Sequence, residues 1–370
     1  MRENNRQLAF INSIRGIAIL MVVLVHTANN IDGLSVFSKY ISSYGQMGVQ
    51  LFFVASAYTL CLSAEYRSRE NHKLKKYFIR RFFRISPIYY LGILIYFIVR
   101  TLIGSYENQS IIIESQYNLT NIISNLTFTH GFYEPAIHIV PGGWSIATEM
   151  SFYLIFPILF SFAKKTINGS IKKGLFFVIA GVFFSQIFLF FLYLNNFKIS
   201  NNSFIYFNIV TQIPVFLAGI SYYFLDSRKS RFTWRSNLTF FILLTFVAIY
   251  LGQIIKIDYL FSILPVISAF SFIFLIEIFK EKEFLNTPFL IKIGKASYSI
   301  YIIHFIFAGT FTGYISPKLY NILNPEFLLI LFFLFSVLTS YIIAKILETI
   351  VEKPFISIGK ELTIRLDRIK

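Results

Sequence analysis

The sequence is dominated by apolar runs of about 20 residues that recur from one end of the chain to the other. Of the 370 residues, 56% are hydrophobic and 14% are charged, whereas a soluble domain carries roughly 25% charged residues. Such runs match the hydrocarbon core of a bilayer, where only helices and closed barrels satisfy their own backbone hydrogen bonds. We therefore predict an all-α, polytopic membrane protein with about ten transmembrane helices. The spans are predicted at residues 8–28, 46–63, 85–104, 144–163, 174–194, 204–225, 237–253, 259–279, 297–315 and 326–349.

The basic residues are distributed unevenly between the two sides of these spans. Of the 34 lysines and arginines, 28 fall on the side of the N-terminus and five fall on the other side. Because cytoplasmic segments carry an excess of Lys and Arg, both chain termini are predicted to be cytoplasmic. This distribution explains the net charge of +16 without a nucleic-acid partner.

One connection is much longer than the others. The outer loop at about 105–143 is polar and contains His130 and His138, and loops of this length are usually functional or disordered. The single cysteine, Cys61, excludes a disulfide within the chain and a cysteine-based metal site. We expect one membrane domain over residues 1–370, with no fused soluble domain.

The predicted first helix carries an arginine near its inner end and a histidine near its outer end. Arg15 and His26 are eleven residues apart, which is three helical turns plus ~20°, so both side chains point the same way. They are separated by ~16 Å along the axis, about half of a bilayer core. Polar groups are costly in lipid unless they line a polar cavity, and the aligned pair favours such a cavity. The alternative is that Arg15 reaches the cytoplasmic head groups and His26 the opposite interface.

A carboxylate occupies the outer part of the fourth span. Glu149 lies five residues after Trp144 in a span that runs from outside to inside, so topology places it at a depth similar to that of His26. A carboxylate in lipid needs a partner, and an imidazole oriented by a carboxylate is a better base. We therefore predict that Glu149 orients His26. The competing interpretation is a structural Glu149 bonded to Trp144 or to a serine of a neighbouring helix.

Three arginines precede the membrane entrance of the third span. This arginine cluster consists of Arg80, Arg81 and Arg84, just before Pro87. Arginine forks suit phosphate oxygens, which predicts an anionic ligand. Binding of lipid head groups and orientation of the helix also favour arginine at this position. The density of the cluster exceeds what orientation alone requires.

The second and ninth spans contain further polar side chains. Gln50 in the second span is suited either to a sugar hydroxyl or to joining helices, and Gly45 and Gly48 would permit close helix approach. In the ninth span, Tyr301 precedes His304 on one helical face that also carries Ser297. His304 lies near mid-membrane, which predicts a pore-lining or helix-bonded position. The histidines lack the spacing of metal ligands, so we predict no metal site.

Seven short motifs follow one another along nearly the whole chain: the Arg15…His26 helix, GVQLFFVASAY (48–58), RRFFRISPIYY (80–90), WSIATEMSFYLIFP (144–157), PVFLAG (214–219), GKASYSIYIIH (294–304) and EKP (352–354). Each motif is weak alone, but seven in this order are specific. With these motifs the chain resembles the acyltransferase-3 family of integral membrane acyltransferases. One departure is Ala55–Ala57, where a Ser-Gly pair is expected; it lies away from the charged residues.

The resemblance implies ten or so helices and transfer of an acyl group, usually acetyl, from cytoplasmic acyl-CoA. The acceptor would be a hydroxyl of a cell-surface carbohydrate, such as an O-antigen, capsule or exopolysaccharide unit, or a lipid-linked sugar. The protein would then reside in a bacterial inner membrane. No bound cofactor is expected, because acetyl-CoA is a donor substrate.

The resemblance also gives the candidate residues a common set of roles. Arg15 and the arginine cluster would hold the phosphates of CoA, and its pantetheine arm is comparable in length to the ~16 Å between Arg15 and His26. His26, oriented by Glu149, would act as a general base on the acceptor hydroxyl, or alternatively form a transient acyl-histidine. The acceptor or pore-lining residues would be Gln50, Trp144, Tyr153, Tyr301 and His304.

A transporter or flippase of lipid-linked sugars is the main alternative. In that class Arg15, Glu149 and His304 would be substrate or proton sites. The arginine cluster and the single long outer loop favour an acyltransferase, whereas a transporter predicts flux that is independent of acetylation. A non-catalytic scaffold would leave the aligned pair in the first helix unexplained.

Overall fold

Every regular element that the structure describes is helical. This computed structural model describes residues 2–107, 116–132, 137–195, 204–225, 232–254 and 263–368. No β-strand occurs in these ranges, which confirms the predicted all-α class. The α-helices are α1 (Arg2–Ala28), α2 (Val36–Tyr44), α3 (Gly48–Tyr66), α4 (Lys73–Glu107), α5 (Leu119–Leu126), α6 (Gly143–Thr166), α7 (Ile171–Leu194), α8 (Phe204–Phe207), α9 (Ile209–Leu225), α10 (Trp234–Ile254), α11 (Leu264–Glu281), α12 (Pro288–Lys295), α13 (Ser297–His304), α14 (Thr312–Leu319), α15 (Pro325–Leu347) and α16 (Lys353–Arg368).

Eight helices in the described ranges are long and apolar enough to cross a membrane. Each of these eight helical stretches includes one of the following numbered helices: α1, α3, α4, α6, α7, α10, α13 and α15. Two further helices fall at predicted spans: α9 is apolar but has only 17 residues, and α11 ends in a turn containing Glu277, Lys280 and Glu281. These ten helices follow the order of the ten predicted spans. The number that cross the bilayer and the sidedness of the termini stay predictions.

Helix α1 packs closely against the start of α3 because the facing residues are small. A Cβ atom placed on Gly48 would lie 2.5 Å from the carbonyl oxygen of Ala18, and one on Gly45 would lie 2.3 Å from that of Met21. The prediction that Gly45 and Gly48 permit close helix approach is therefore confirmed. In lipid, such close backbone packing is a main source of helix association.

Helix α1 makes a second backbone contact with α12. A Cβ atom on Gly294 would lie 1.7 Å from the carbonyl oxygen of Asn12, and one on Gly16 would lie 2.4 Å from that of Leu290. Only glycine fits at either position, because the opposing atoms belong to the backbone and cannot rotate away. The contact fixes the position of Arg15, the residue before Gly16, relative to α12.

The described part of the long outer connection packs against α4. The side-chain oxygen of Asn125 in α5 accepts a hydrogen bond from the Tyr89 hydroxyl at 2.9 Å. His130 is buried, its ring nitrogens lie 3.2 and 3.3 Å from backbone carbonyl oxygens, and burial lowers its pKa. This part of the connection therefore forms a packed layer. The predicted loop also includes residues 108–115 and 133–136, which lie outside the described residues.

Candidate active site

A cavity of about 480 Å³ lies among α1, α3, α4, α6, α13 and α16. Its volume falls in the usual range of small-molecule sites, roughly 300–1,000 Å³. Four of the predicted site residues do not line it: His26, Gln50, Trp144 and His304. The other seven, from four different helices, do: Arg15, Arg80, Arg81, Arg84, Glu149, Tyr153 and Tyr301.

The wall of the cavity carries far more positive than negative charge. Six cationic side chains line it, whereas Glu149 is the only carboxylate among its described lining residues. Arg67 and Arg80 both pair with Glu70, which is not part of the lining, at 2.6 and 2.9 Å. Within the described chain, the remaining four form no ion pair: Arg15, Arg81, Arg84 and Lys360. A low-dielectric cleft lined by one sign of charge concentrates ligands of the opposite sign.

The pairing with Glu70 holds two of the arginines next to the connection between two helices. Glu70 lies in the connection between α3 and α4. Burial acts to raise the pKa of Glu70, but the hydrogen bonds from Arg67 and Arg80 outweigh it and hold this pKa below its usual range. A Glu70 that is ionised at neutral pH anchors both guanidinium groups at the rim of the cavity.

Arg81 lies between two tyrosine rings. Its guanidinium carbon is 5.9 Å from the centroid of the Tyr77 ring and 5.6 Å from that of Tyr153, as in cation–π contacts. The Tyr77 hydroxyl donates to the backbone carbonyl of Tyr153 at 3.1 Å, which joins α4 to α6. The Nε atom of Arg81 is buried without a hydrogen-bond partner among the described residues.

Glu149 is held by two hydroxyl groups. The Ser56 Oγ and the Tyr153 Oη each donate to its Oε1 atom at 2.5 Å. Hydrogen bonds to a carboxylate are short and roughly twice as strong as neutral ones. Glu149 is also within electrostatic reach of Arg15. The geometry matches the competing interpretation of Glu149, in which a serine of a neighbouring helix is its partner.

The predicted bond between Glu149 and His26 is not formed, so that part of the sequence prediction is wrong for this structure. The His26 ring packs instead against His304, with ring centroids 5.3 Å apart, and against Phe305 at 4.1 Å. Similar depth in the membrane did not make Glu149 and His26 neighbours, because the outer end of α1 packs against the end of α13. His26 therefore has an aromatic neighbourhood rather than a carboxylate partner.

His304 has one nitrogen occupied and one free. Its Nδ1 donates to the backbone carbonyl of Tyr301 at 2.7 Å, which leaves the lone pair on Nε2. The Nε2 atom is buried and has no partner in the part of the chain that the structure describes. The residues after it form a π-helical segment, Phe305–Phe311. The His304 ring lies between the rings of His26 and Tyr301, and Tyr301 lines the cavity.

Tyr301 connects the cavity to the start of α6. Its hydroxyl donates to the carbonyl of Gly142 at 3.0 Å and lies 2.7 Å from the Ser145 Oγ. Gly142 has a φ of +74°, a conformation that favours glycine. This turn sets the position at which α6, with Glu149, enters the membrane.

Gln50 and Trp144 belong to a separate cluster beside the cavity. The Gln50 Nε2 donates to the Gln212 Oε1 at 3.1 Å and joins α3 to α9, while its own Oε1 has no partner among the described residues. Trp144 stacks on Phe207, with ring centroids 4.5 Å apart, and meets Phe53 edge to face. Gln50 thus joins helices, which is one of the two roles expected for it.

The sequence analysis missed several polar lining residues, among them Ser56, Arg67 and Lys360. A signal for the first was present, because Ser56, Thr59 and Ser63 recur at helical spacing along α3 and all three line the cavity. Arg67 and Lys360 were counted only as cytoplasmic charges. Nothing in their local sequence separates them from other basic residues of the inner side.

Comparison with known proteins points to one reaction class. The Acyl_transf_3 model, an acyltransferase domain, matches residues 8–345. "Putative O-acetyltransferase SACOL0978" of Staphylococcus aureus (strain COL) is 28% identical over an alignment of 333 positions, which covers 81% of this chain and 50% of that protein. O-acetyltransferase OatA of Staphylococcus aureus (strain NCTC 8325 / PS 47) is 25% identical over an alignment of 380 positions, which covers 94% of this chain and 58% of that protein.

These relatives are longer than the chain, which spans about half of the length of the proteins it matches. No solved structure matches it. The family match nevertheless extends over residues 8–345 and includes the helices that form the cavity, except α16. With its long apolar helices and this match, the chain is an integral membrane protein that belongs to the acyltransferase-3 family.

Proposed function

We propose that this protein is a membrane O-acetyltransferase that moves an acetyl group from cytoplasmic acetyl-CoA to a hydroxyl of a cell-surface carbohydrate. The observation that carries the proposal is the cavity itself, where six cations face one carboxylate and four of the cations have no ion-pair partner in the described chain. Such a site suits a polyanionic donor. The family and the names of the relatives support acyl transfer to an oxygen.

The donor would enter with its phosphates at the arginines. CoA carries a diphosphate and a 3′-phosphate at one end and the thioester at the other. Arg81 and Arg84 would bind phosphate oxygens, with Arg15 deeper in the cavity. Because α1 is one helix from Arg2 to Ala28, the expected ~16 Å between Arg15 and His26 holds, and a pantetheine arm is comparable in length.

His26 would take the proton of the acceptor hydroxyl. As the hydroxyl oxygen attacks the thioester carbonyl, a C–O bond forms, the C–S bond breaks, and the thiolate of CoA leaves and takes up the proton. Packing of His26 against His304 and Phe305 would hold its ring in position. The alternative, a transient acetyl-histidine, predicts that labelled acetyl-CoA marks the protein covalently in the absence of acceptor.

The acceptor would bind on the outer side. The amide oxygen of Gln50 has no partner among the described residues. Trp144 belongs to the same cluster beside the cavity, where it stacks on another aromatic ring. An unpaired amide oxygen beside aromatic rings suits a sugar hydroxyl. The proposal of a carbohydrate acceptor rests on this cluster and on the resemblance.

The deciding experiment compares cells that lack the gene with cells complemented by the wild-type gene. The mass of the surface carbohydrate repeat is measured, together with transfer of labelled acetyl from acetyl-CoA in isolated membranes. Loss of one acetyl group per modified sugar, restored by the wild-type gene, is the expected result. Unchanged repeat mass with carbohydrate missing from the surface would contradict the proposal and support translocation.

Replacement of Glu149 by glutamine is expected to lower kcat/KM about 10- to 100-fold. The amide oxygen can still accept from Ser56 and Tyr153, but both bonds lose the contribution of the charge, and Arg15 loses a nearby anion. Transfer of labelled acetyl in proteoliposomes measures the effect. Glu65→Gln is the matched control, because Glu65 forms an exposed pair with Lys164 and exposed pairs contribute little. Equal activity of both variants would contradict this role for Glu149.

A further inference from the structure

We propose that the C-terminal helix α16 forms one wall of the donor site and that Lys360 binds a phosphate of the acyl donor. The inference rests on the proposed function and extends its donor site beyond the arginine cluster. It concerns a helix that lies outside the span of the family match, which ends at residue 345.

One face of α16 is turned toward the cavity. Four of its residues line the cavity: Ile356, Gly359, Lys360 and Thr363. Their spacing of i, i+3, i+4 and i+7 is that of a single stripe on an α-helix. The stripe contains a small residue, a hydroxyl and a cation, which is a composition suited to a polar ligand.

Contacts on both sides of Lys360 fix α16 against α4. A Cβ atom on Gly359 would lie 2.8 Å from the Cβ of Phe83, so the two helices touch directly beside Arg84. Further along, Asp367 pairs with the nearly buried Lys76 of α4 at 2.5 Å. Loss of Asp367 would leave the buried Lys76 charge without compensation, so this pair holds the helix firmly. Lys360 therefore reaches the cavity from a positioned helix.

At the start of α16 a third contact ties it to α13. Glu352, in the π-helical segment that joins α15 to α16, accepts a hydrogen bond from the Ser299 Oγ at 3.2 Å. Glu352 is also within electrostatic reach of Arg15 and Arg84. The helix that carries Lys360 is thus joined to the same two elements that supply the arginines and Tyr301.

Lys360 is exposed and forms no ion pair with a described residue. It shares the cavity with Arg67, Arg80 and Arg84, so several cations line the same cavity. Bound phosphates would relieve the repulsion between them. The predicted cytoplasmic position of Lys360, at the end opposite to His26, matches the nucleotide end of CoA and not the acyl end. The flexible ammonium group of lysine suits a single phosphate as a point charge.

The test measures binding of CoA, 3′-dephospho-CoA and pantetheine to the full-length protein in nanodiscs. Lys360→Ala is expected to weaken CoA binding about tenfold and to leave pantetheine binding unchanged, while Lys360→Arg keeps CoA affinity. If Lys360 contacts the 3′-phosphate, the variant also loses the preference for CoA over 3′-dephospho-CoA. If it contacts the diphosphate, both nucleotides are weakened equally. The matched control is Arg365→Ala, an exposed cation of the same helix that does not line the cavity.

Three results would overturn the inference and are distinct from one another. If the wild-type protein binds CoA and Lys360→Ala binds it equally well, α16 is not part of the donor site, and the proposed function stands. If the wild-type protein binds none of the three probes, the proposed donor fails together with this inference. Equal weakening for pantetheine and CoA would also overturn it, because the effect would then be structural.

Discussion

Acetyl transfer by the His26→Ala variant is expected to fall about 10²- to 10⁴-fold, the contribution typical of a general base. The fold should survive, because the His26 side chain forms no hydrogen bond within the described chain and its removal leaves no buried group unpaired. The lost contacts are with the rings of His304 and Phe305. Labelled acetyl transfer in proteoliposomes gives the rate, and the elution profile and melting temperature in detergent report the fold.

A histidine that does not line the cavity provides the control for this variant. His72 is exposed in the connection between α3 and α4, with a φ of +49° that asparagine tolerates. His72→Asn should keep full activity. Full activity of His26→Ala would remove His26 from the reaction. If the His26→Ala variant loses both its acetyl-transfer activity and its melting transition, His26 has a structural role.

Replacement of Gly294 by alanine is expected to prevent formation of a stable, active protein. The new Cβ atom would lie 1.7 Å from the Asn12 carbonyl oxygen and 2.9 Å from the Gly16 backbone nitrogen. Overpacking usually costs about 1–3 kcal/mol, and here both sides of the contact are backbone, so α1 must move. A displacement of about 1 Å is enough to cost 10²-fold in rate, and Arg15 is adjacent to the contact. The yield of monodisperse protein and its melting temperature measure the effect.

The control for this variant is Gly252→Ala in α10. A Cβ atom there would meet nothing closer than 3.6 Å, so the methyl group fits. Alanine has a higher helix propensity than glycine by about 1 kcal/mol, and the melting temperature should stay unchanged or rise. A Gly294→Ala protein as stable as Gly252→Ala would show that α1 and α12 are not in contact in the membrane.

The elements of the fold were predictable because they depend on local properties. Hydropathy located the helices, and the spacing of Gly45 and Gly48 indicated a close helix contact. Arg15 was identified as a charge that favours a polar cavity, the arginine cluster as a site for an anionic ligand and Glu149 as a carboxylate that needs a partner, and the structure places all of them around one cavity. Each of these inferences used one segment and the cost of polar groups in lipid.

Contacts between helices were not predictable in the same way. Depth can be inferred from sequence, but depth does not say which helices are neighbours, so Glu149 was matched with His26 when its partner is Ser56. The widened turns after His304 change the helical register, and sequence periodicity does not reveal them. Lys360 lies in a polar helix, in a segment that local sequence patterns present as a basic tail. The close contact of this helix with α4 depends on Gly359, and that contact is not visible in the sequence.

The four glycine contacts of α1 also determine which parts of the protein can move during a reaction cycle. The backbones approach closely at each of these contacts, so no layer of side chains separates α1 from α3 or α12 there. The helix that carries both Arg15 and His26 therefore acts as a fixed reference within the bilayer. We expect that substrates enter and leave by displacement of the walls on the other side of the cavity, while the distance between Arg15 and His26, the two side chains of α1 with proposed roles, stays constant.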